Sequence, residues 1–153
     1  MTRTIFEIIF LIEILYLAFH YYKLFKNVVK IRRETKISIG HNIKKLERAV
    51  RAHGNFCETC PLIIMLNFIL YFNNLLFFAI ISLLLLAVGR TIHSFAVSDI
   101  SEDIDDRRKG MKFTIYSLFT AIIGIIFYMT KLIYYSFQAH INTTFLPQNF
   151  FIM

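Results

Sequence analysis

Hydrophobic residues along the chain form four long runs that are separated by short polar or charged segments. The runs cover residues 5–29, 49–72, 75–95 and 113–135. Each run contains at least 20 residues. A helix rises about 1.5 Å per residue, so each run is long enough to cross a hydrocarbon core about 30 Å thick. The pattern predicts an all-α integral membrane protein, a bundle of four transmembrane helices that run alternately up and down.

The segments between the runs predict how the helices are connected. Only Asn73 and Asn74 separate the second and third runs, which predicts an antiparallel helical hairpin. Residues 98–106 contain five acids and are predicted to form a solvated cap before the fourth helix. Within this segment, Asp105 and Asp106 suit the positive end of the helix dipole.

Composition excludes a soluble domain of this length. Of the 153 residues, 57% are hydrophobic, and the chain includes 17 Phe and 8 Tyr. We therefore predict one membrane domain over residues 1–137. Residues 138–153 lack a hydrophobic period, so they are predicted to form a C-terminal tail that is partly disordered or interfacial.

Basic residues are distributed very unevenly along the chain, whose formal net charge is +7. Residues 23–51 contain ten Lys or Arg against two acids, and residues 97–112 contain four further Lys or Arg. Since Lys and Arg near the ends of spans stay in the cytoplasm, both segments are predicted to be cytoplasmic, with both termini on the opposite side. The excess of basic over acidic residues therefore reflects the membrane topology and contact with anionic lipid headgroups, and no nucleic acid is expected as a partner.

A polar stripe runs along the second predicted span, where a bilayer favours apolar residues. At about 100° per residue, four polar side chains fall within a sector about 80° wide. They are Arg48, Arg51, Asn55 and Glu58. A charge near the centre of a spanning helix costs about 2.5 to 3.5 kcal/mol, so the stripe must face protein or a wet cavity. We therefore predict a functional site on this helix face.

The third span ends in a second group of polar residues at the same predicted depth. His93 is predicted to belong to the site, and Arg90, one turn earlier, shares its helix face. Arg90 either contributes to the site or forms an ion pair with Glu58 or with an acid of the third loop. Cys57 and Cys60 are too few ligands for zinc, so no metal is expected and both are predicted to be buried small apolar residues.

Three groups of residues follow one another along the chain: Arg51, Asn55, Glu58 and Pro61, then Gly89, Arg90 and His93, then Arg107, Gly110 and Met111. Their types, spacing and order resemble those of the MAPEG family, the membrane-associated proteins in eicosanoid and glutathione metabolism. His53 and Thr59 make the chain look more like the microsomal glutathione transferase and prostaglandin E synthase branches than the cysteinyl-leukotriene synthase branch, and the Gly110–Met111 pair looks more like bacterial members. The resemblance covers nearly the whole chain and implies a location in a bacterial inner membrane.

The resemblance implies a homotrimer that binds glutathione between neighbouring subunits near the cytoplasmic side. By matched position, Arg51, Asn55 and Glu58 would hold the glutathione peptide, with Glu58 at its α-amino group. Arg32 or Arg33 would bind a second carboxylate from the end of the first helix. Glutathione would be the co-substrate of a reaction rather than a permanently bound group.

The matched positions also imply chemistry at the glutathione sulfur. Arg107 matches the arginine that stabilises the thiolate, and Arg108 beside it is an alternative partner. Conjugation requires the thiolate, and a fixed positive charge lowers the pKa of a thiol from its free value of about 8.5. His93 matches a position that contacts the ligand, and Arg90 is a further candidate for this contact. Val97 stands where several family members have a tyrosine.

The implied function is that of a membrane-embedded glutathione transferase or peroxidase. Its activated thiolate would attack lipophilic electrophiles or hydroperoxides that enter from the bilayer. The alternative is a non-enzymatic membrane bundle that uses the same polar pocket to bind a lipid or another ligand. A transporter is disfavoured because the spans lack midplane breaks and paired acids on facing helices. The expected partners are further copies of the chain, membrane lipids and a lipophilic small molecule.

Overall fold

The computed structural model describes residues 2–40, 42–99, 101 and 104–145, with side chains as far as residue 142. Its four helices are α1 (Thr2–Thr35), α2 (Lys44–Phe72), α3 (Leu76–Ser98) and α4 (Ile104–Phe145). Each helix is long and apolar enough to cross a bilayer. The protein is a multi-pass integral membrane protein, and the predicted all-α bundle of four spans is confirmed.

The helices are longer than the apolar runs that predict them. α4 begins at Ile104, before the run that starts at residue 113, and it continues to Phe145, beyond the end of that run at residue 135. A hydrophobic run marks only the part of a helix that meets hydrocarbon, whereas backbone hydrogen bonding continues into water. The tail predicted from residue 138 therefore starts inside α4, and the boundary between domain and tail stays a prediction. Residues 146–153 lie outside the described residues.

α2 and α3 form the centre of the bundle. α1 packs against both of them, and so does α4, whereas α1 and α4 do not meet within the described part of the chain. The apolar core between the helices includes Phe10, Leu17, Leu70, Leu83 and Leu86. Residues 23–40, 42–51 and 107–112 lie at one end of the bundle, which we call the basic end.

Asn73 and Asn74 form the turn between α2 and α3, as predicted. Asn74 has a φ of 61°, a left-handed conformation that asparagine tolerates better than most residues. The Asn73 side chain donates to the carbonyl oxygen of Ile69 at 2.8 Å, and the N–H group of Leu75 donates to that of Leu70 at 2.9 Å. These bonds satisfy carbonyl groups that have no donor within the last turn of α2.

A buried polar cluster joins α2, α3 and α4 in the half of the bundle away from the basic end. Asn67 Nδ2 donates to Ser82 Oγ at 2.9 Å, and Ser117 Oγ donates to the carbonyl oxygen of Ser82 at 2.7 Å. All three residues are fully buried. Interhelical hydrogen bonds contribute about 0.6 kcal/mol each on average in membrane proteins. The cluster therefore selects which helix faces meet more than it stabilises the bundle.

The two cysteines differ in their surroundings, which corrects one prediction. Cys60 is buried, but Cys57 is exposed, and both are free thiols. The Cys57 sulfur lies 3.7 Å from Nε2 of His53, and the His53 ring packs near that of Tyr21 on α1. Residues three positions apart on a helix point about 60° apart, so one of them can face the core while the other faces outwards. The prediction of two buried cysteines is wrong for Cys57.

Candidate functional site

Two adjoining cavities open along α2 at the basic end. The first has a volume of about 280 Å³ and is lined by Lys44, Glu47, Arg48, Arg51, Asn55, Val97 and Arg107. The second has a volume of about 240 Å³ and is lined by Glu47, Val50, Arg51, Gly54, Asn55 and Glu58. Because Glu47, Arg51 and Asn55 line both cavities, the two form one continuous polar site.

The predicted polar stripe lies entirely in this polar site. Its two most exposed charges are Arg51 and Glu58, and neither forms an ion pair with another described residue. Glu58 lies 14 residues before the end of α2 at Phe72. This corresponds to about 21 Å along the helix, which is inside a hydrocarbon core about 30 Å thick. A carboxylate at that depth requires a polar partner from a ligand, water or another protein surface.

α4 contributes Arg107 to the polar site but not the neighbouring Arg108. Arg107 lines the first cavity together with Arg51 and Asn55. Arg108 points elsewhere, because successive residues on a helix differ by about 100°, and its Nη1 lies 3.3 Å from Oδ1 of Asp105. The N-terminal end of α4 carries the positive end of the helix dipole, which also favours an anion here. An anion in the first cavity would therefore meet Arg107.

Arg90 is buried in the bundle behind the polar site. Its Nε donates to Thr114 Oγ1 at 3.0 Å, and its Nη1 donates to the carbonyl oxygen of Asn55 at 3.1 Å and to Thr59 Oγ1 at 3.2 Å. The predicted ion pair with Glu58 is not formed, and no other described acid pairs with Arg90. Arg90 instead links α2, α3 and α4 where Asn55 enters the cavity wall.

His93 is also buried, and two glycines explain its position. α3 and α4 approach closely at Gly89 and Gly110, since a Cβ on Gly110 would lie 2.6 Å from the backbone nitrogen of His93. A Cβ on Gly89 would lie 2.8 Å from the carbonyl oxygen of Gly110. His93 is only 2% exposed and lines neither cavity of the polar site. Its assignment as a glutathione contact stays a prediction.

The two arginines near the end of α1 do not reach the polar site of their own chain. Arg32 Nη1 donates to the carbonyl oxygens of Ile37, Ser38 and Gly40 at 3.3, 3.0 and 3.1 Å. Arg32 thereby closes the loop after α1, where Gly40 has a φ of 80°. Arg33 is exposed, and neither arginine lines the cavities. A contact between either arginine and a ligand in the polar site would require a neighbouring copy of the chain.

Two charged residues of the polar site lie outside the predicted set. Lys44 and Glu47 both line the first cavity, beside Arg48, whose Nη1 donates to the carbonyl oxygen of Val97 at 3.3 Å. At about 100° per residue, Lys44 falls within the sector of the stripe and Glu47 falls at its edge. The apolar run begins only at residue 49, so hydropathy alone does not show that the helix already starts at Lys44.

The family model of the MAPEG family matches residues 10–139, which is more than four-fifths of the chain. The match includes every residue of the polar site, together with Arg32, Arg33 and the close approach of α3 to α4. No curated protein and no solved structure matches the chain.

Proposed function

Because the chain belongs to the MAPEG family, we propose that it is a membrane-embedded glutathione transferase or glutathione-dependent peroxidase. The observation that best supports this proposal is that Arg51, Asn55 and Arg107 line one cavity, with Glu58 in the adjoining one. Glutathione carries two carboxylates, one ammonium group and one thiol. A polar site with several cations and one deep carboxylate complements these groups.

Each charged residue suits one part of the glutathione molecule. The guanidinium of Arg51 can bind a carboxylate through two parallel hydrogen bonds, which a lysine cannot do. Glu58 would accept hydrogen bonds from the ammonium group and thereby gain a charged partner, which no other described residue of its own chain provides. Asn55 presents an amide that can bond to the peptide of glutathione. Arg90 would act as a positioning residue, since it binds the Asn55 backbone.

Arg107 would stabilise the thiolate in the first cavity. The thiolate sulfur forms a bond to an electrophilic carbon of the substrate, and the leaving group departs with the electron pair of the bond that breaks. Each unit by which the thiol pKa is lowered corresponds to about 1.36 kcal/mol of preferential binding of the anion. Because the site is in a membrane bundle, lipophilic electrophiles would enter directly from the bilayer.

A homotrimer would complete the polar site. Six exposed side chains of α2 share a sector about 60° wide: Glu47, Arg51, Glu58, Leu62, Met65 and Ile69. Lipid could cover the aliphatic half of this face but not the charged half. A neighbouring subunit would cover both halves, and the exposed Arg33 at the end of its α1 would supply a further cation to glutathione. The basic end would face the cytoplasm of a bacterial cell.

The proposal is tested by conjugation of glutathione to an aryl halide, measured with the purified protein in detergent. We expect Arg107→Ala to reduce kcat/KM at pH 7 by at least about tenfold, because the thiol pKa rises by one unit or more. Arg108→Ala should retain most of the activity, since Arg108 lies outside the cavities. Equal activity of wild type and Arg107→Ala would contradict the role of Arg107.

Calorimetric titration with glutathione tests binding separately from catalysis. Glu58→Gln should weaken binding about tenfold or more, because the ammonium group loses its charged partner. Glu34→Gln is the matched control, since Glu34 forms only exposed ion pairs outside the polar site. No binding at millimolar glutathione by intact wild-type protein would instead indicate a bundle that binds a lipid or another ligand in this site.

A further inference from the structure

A groove runs between α1 and α3, and none of the described residues that line it belongs to the polar site. Near the middle of the span it contains a cavity of about 410 Å³, lined mainly by the apolar residues Ile12, Leu84, Ala87, Val88 and Ile92. At the basic end it contains a cavity of about 370 Å³, whose polar lining includes Lys23, Lys26, Asn27, Lys30, Ser94 and Ser98. The groove is therefore apolar at one end and cationic at the other.

The two cavities follow one another along the same pair of helices. Tyr16 Oη and Thr91 Oγ1 share a hydrogen bond of 2.7 Å beside the apolar cavity. One turn further along both helices, His20 Nε2 and Ser94 Oγ share a hydrogen bond of 2.9 Å beside the cationic cavity. These two bonds hold α1 against α3, and they place the two cavities about one turn apart along the same pair of helices.

Lysines at the cationic end converge on one side of α1. Lys23, Lys26 and Lys30 are spaced i, i+3 and i+7, which places them within a sector about 60° wide. The Lys23 ammonium lies 5.1 Å from the ring centroid of Phe95, on the α3 wall of the groove. Lys30 also lies 3.9 Å from Glu34, in an exposed pair of the kind that contributes little. No carboxylate is found among the described residues that line this cavity.

We propose that the groove binds one anionic phospholipid, with its phosphate among the lysines and an acyl chain along the apolar cavity. Lys23 and Ile12 are 11 residues apart, about 16 Å along α1, which matches the depth of one leaflet of a hydrocarbon core about 30 Å thick. The lysines lie near the membrane surface, where each contributes about 1 kcal/mol to the attraction of anionic lipid. A soluble phosphate would contact only the lysines and leave the apolar cavity unused.

Glu13 is the only acid among the described residues that line these two cavities, and its position agrees with this orientation. It borders the apolar cavity ten residues from Lys23, about 15 Å further into the bilayer than the lysines. Its side chain is turned towards the protein interior and is only 8% exposed. The phosphate at the basic end would thus be remote from the Glu13 carboxyl group.

Native mass spectrometry of the detergent-purified protein tests the proposal. Equimolar phosphatidylglycerol and phosphatidylcholine with the same acyl chains are titrated into the protein, and the bound fractions of the two lipids are compared. Wild type should prefer phosphatidylglycerol. Lys23→Gln with Lys26→Gln should reduce this preference about 25-fold, since two lysines correspond to about 2 kcal/mol and 1.4 kcal/mol is a factor of ten.

Lys45→Gln with Lys112→Gln is the matched control, because it removes two exposed charges at the basic end but outside the groove. This control should keep the preference of the wild type. All variants should keep the wild-type circular dichroism spectrum, which separates a loss of lipid from a loss of fold. An equal reduction in both double variants, or no preference in the wild type, would overturn the proposal.

A soluble headgroup tests whether the acyl chain takes part. Glycerol 3-phosphate at a few millimolar should not displace the long-chain lipid, and dihexanoyl phosphatidylglycerol should bind more weakly than the long-chain form. Displacement by glycerol 3-phosphate would show a phosphate site in place of a lipid site. Neither outcome depends on glutathione conjugation, so failure here is distinguishable from failure of the proposed function.

Discussion

Arg90 is the most unusual single residue of the bundle, because it is a cation buried among neutral groups. It is 2% exposed, its three hydrogen bonds go to hydroxyl and carbonyl oxygens, and its Nη2 has no hydrogen-bond partner among the described residues. Such a charge is costly unless its donors are satisfied. The sequence predicts a polar residue at this depth, but a carboxylate partner such as Glu58 is the natural expectation. Folding instead brings the Asn55 carbonyl and two threonines to Arg90.

Thr114→Val tests the energetic role of Arg90 without removing the charge. The Thr114 hydroxyl donates to the carbonyl oxygen of Gly110 and accepts from Arg90. Its loss leaves a buried charged donor unsatisfied, so we expect the free energy of unfolding in detergent to fall by about 1–3 kcal/mol. In the control Thr130→Val, the lost hydroxyl bonds only to Ile126 within α4, and stability should hardly change. Equal stability of the two variants would contradict the argument.

Arg107 has a second, pH-dependent signature if it stabilises the thiolate. Without Arg107, the pKa of bound glutathione should rise towards the free thiol value of about 8.5. At a pH below the thiol pKa, each unit by which the pKa rises reduces the fraction of thiolate about tenfold. At a pH well above about 8.5, both the wild type and Arg107→Ala hold glutathione as the thiolate. The loss of kcat in Arg107→Ala should therefore be largest near pH 6.5 and become smaller by pH 9. Arg107→Lys should regain part of the lost activity. A deficit that does not vary with pH would exclude thiolate stabilisation as the role of Arg107.

At the scale of elements, the contact of α3 with α4 positions the polar site. Gly89 and Gly110 allow the two backbones to meet, and Arg107 lies one turn before Gly110. The close contact therefore brings the start of α4 to the stripe of α2. Both glycines belong to motifs that are visible in the sequence, but their role in packing is visible only once the two helices are placed together.

Gly110→Ala should force α3 and α4 apart. The added Cβ would meet His93 N at 2.6 Å and His93 Cβ at 2.7 Å, which are backbone and near-backbone atoms that cannot rotate away. Overpacking of this kind costs about 1–3 kcal/mol, measurable as a lower free energy of unfolding. Gly54→Ala is the control: a Cβ there meets nothing within 4 Å, and alanine favours a helix by about 0.5–1 kcal/mol. Comparable destabilisation by both changes would show that the contact is not the cause.

At the scale of the whole molecule, the exposed face of α2 is the main argument for assembly. Its charged half lies at membrane depth, and its aliphatic half continues along the same sector of the helix. We expect purified protein to be trimeric by native mass spectrometry. Leu62→Trp should reduce the trimer fraction severalfold, because Leu62, 52% exposed, lies on this face and a larger side chain would overpack the interface.

Leu84→Trp provides the comparison for this prediction. Leu84 is 54% exposed on α3, at a similar depth but away from the exposed face of α2. The variant should remain trimeric, since lipid can accommodate the larger side chain. Monomeric wild-type protein, or equal dissociation of both variants, would contradict the proposed assembly and with it the contribution of Arg33 from a neighbouring subunit.

The order of apolar and polar residues was enough to predict the four spans, the Asn73–Asn74 hairpin and the stripe from Arg48 to Glu58. These features depend on the free energy of transferring each residue from water to hydrocarbon and on the helical period, and both are properties of short segments. Which polar residues share a cavity depends instead on how the four helices pack together. Helix rotation and crossing distance depend on contacts between remote segments, so Arg107 reaches the cavity while Arg108, Arg90 and His93 do not.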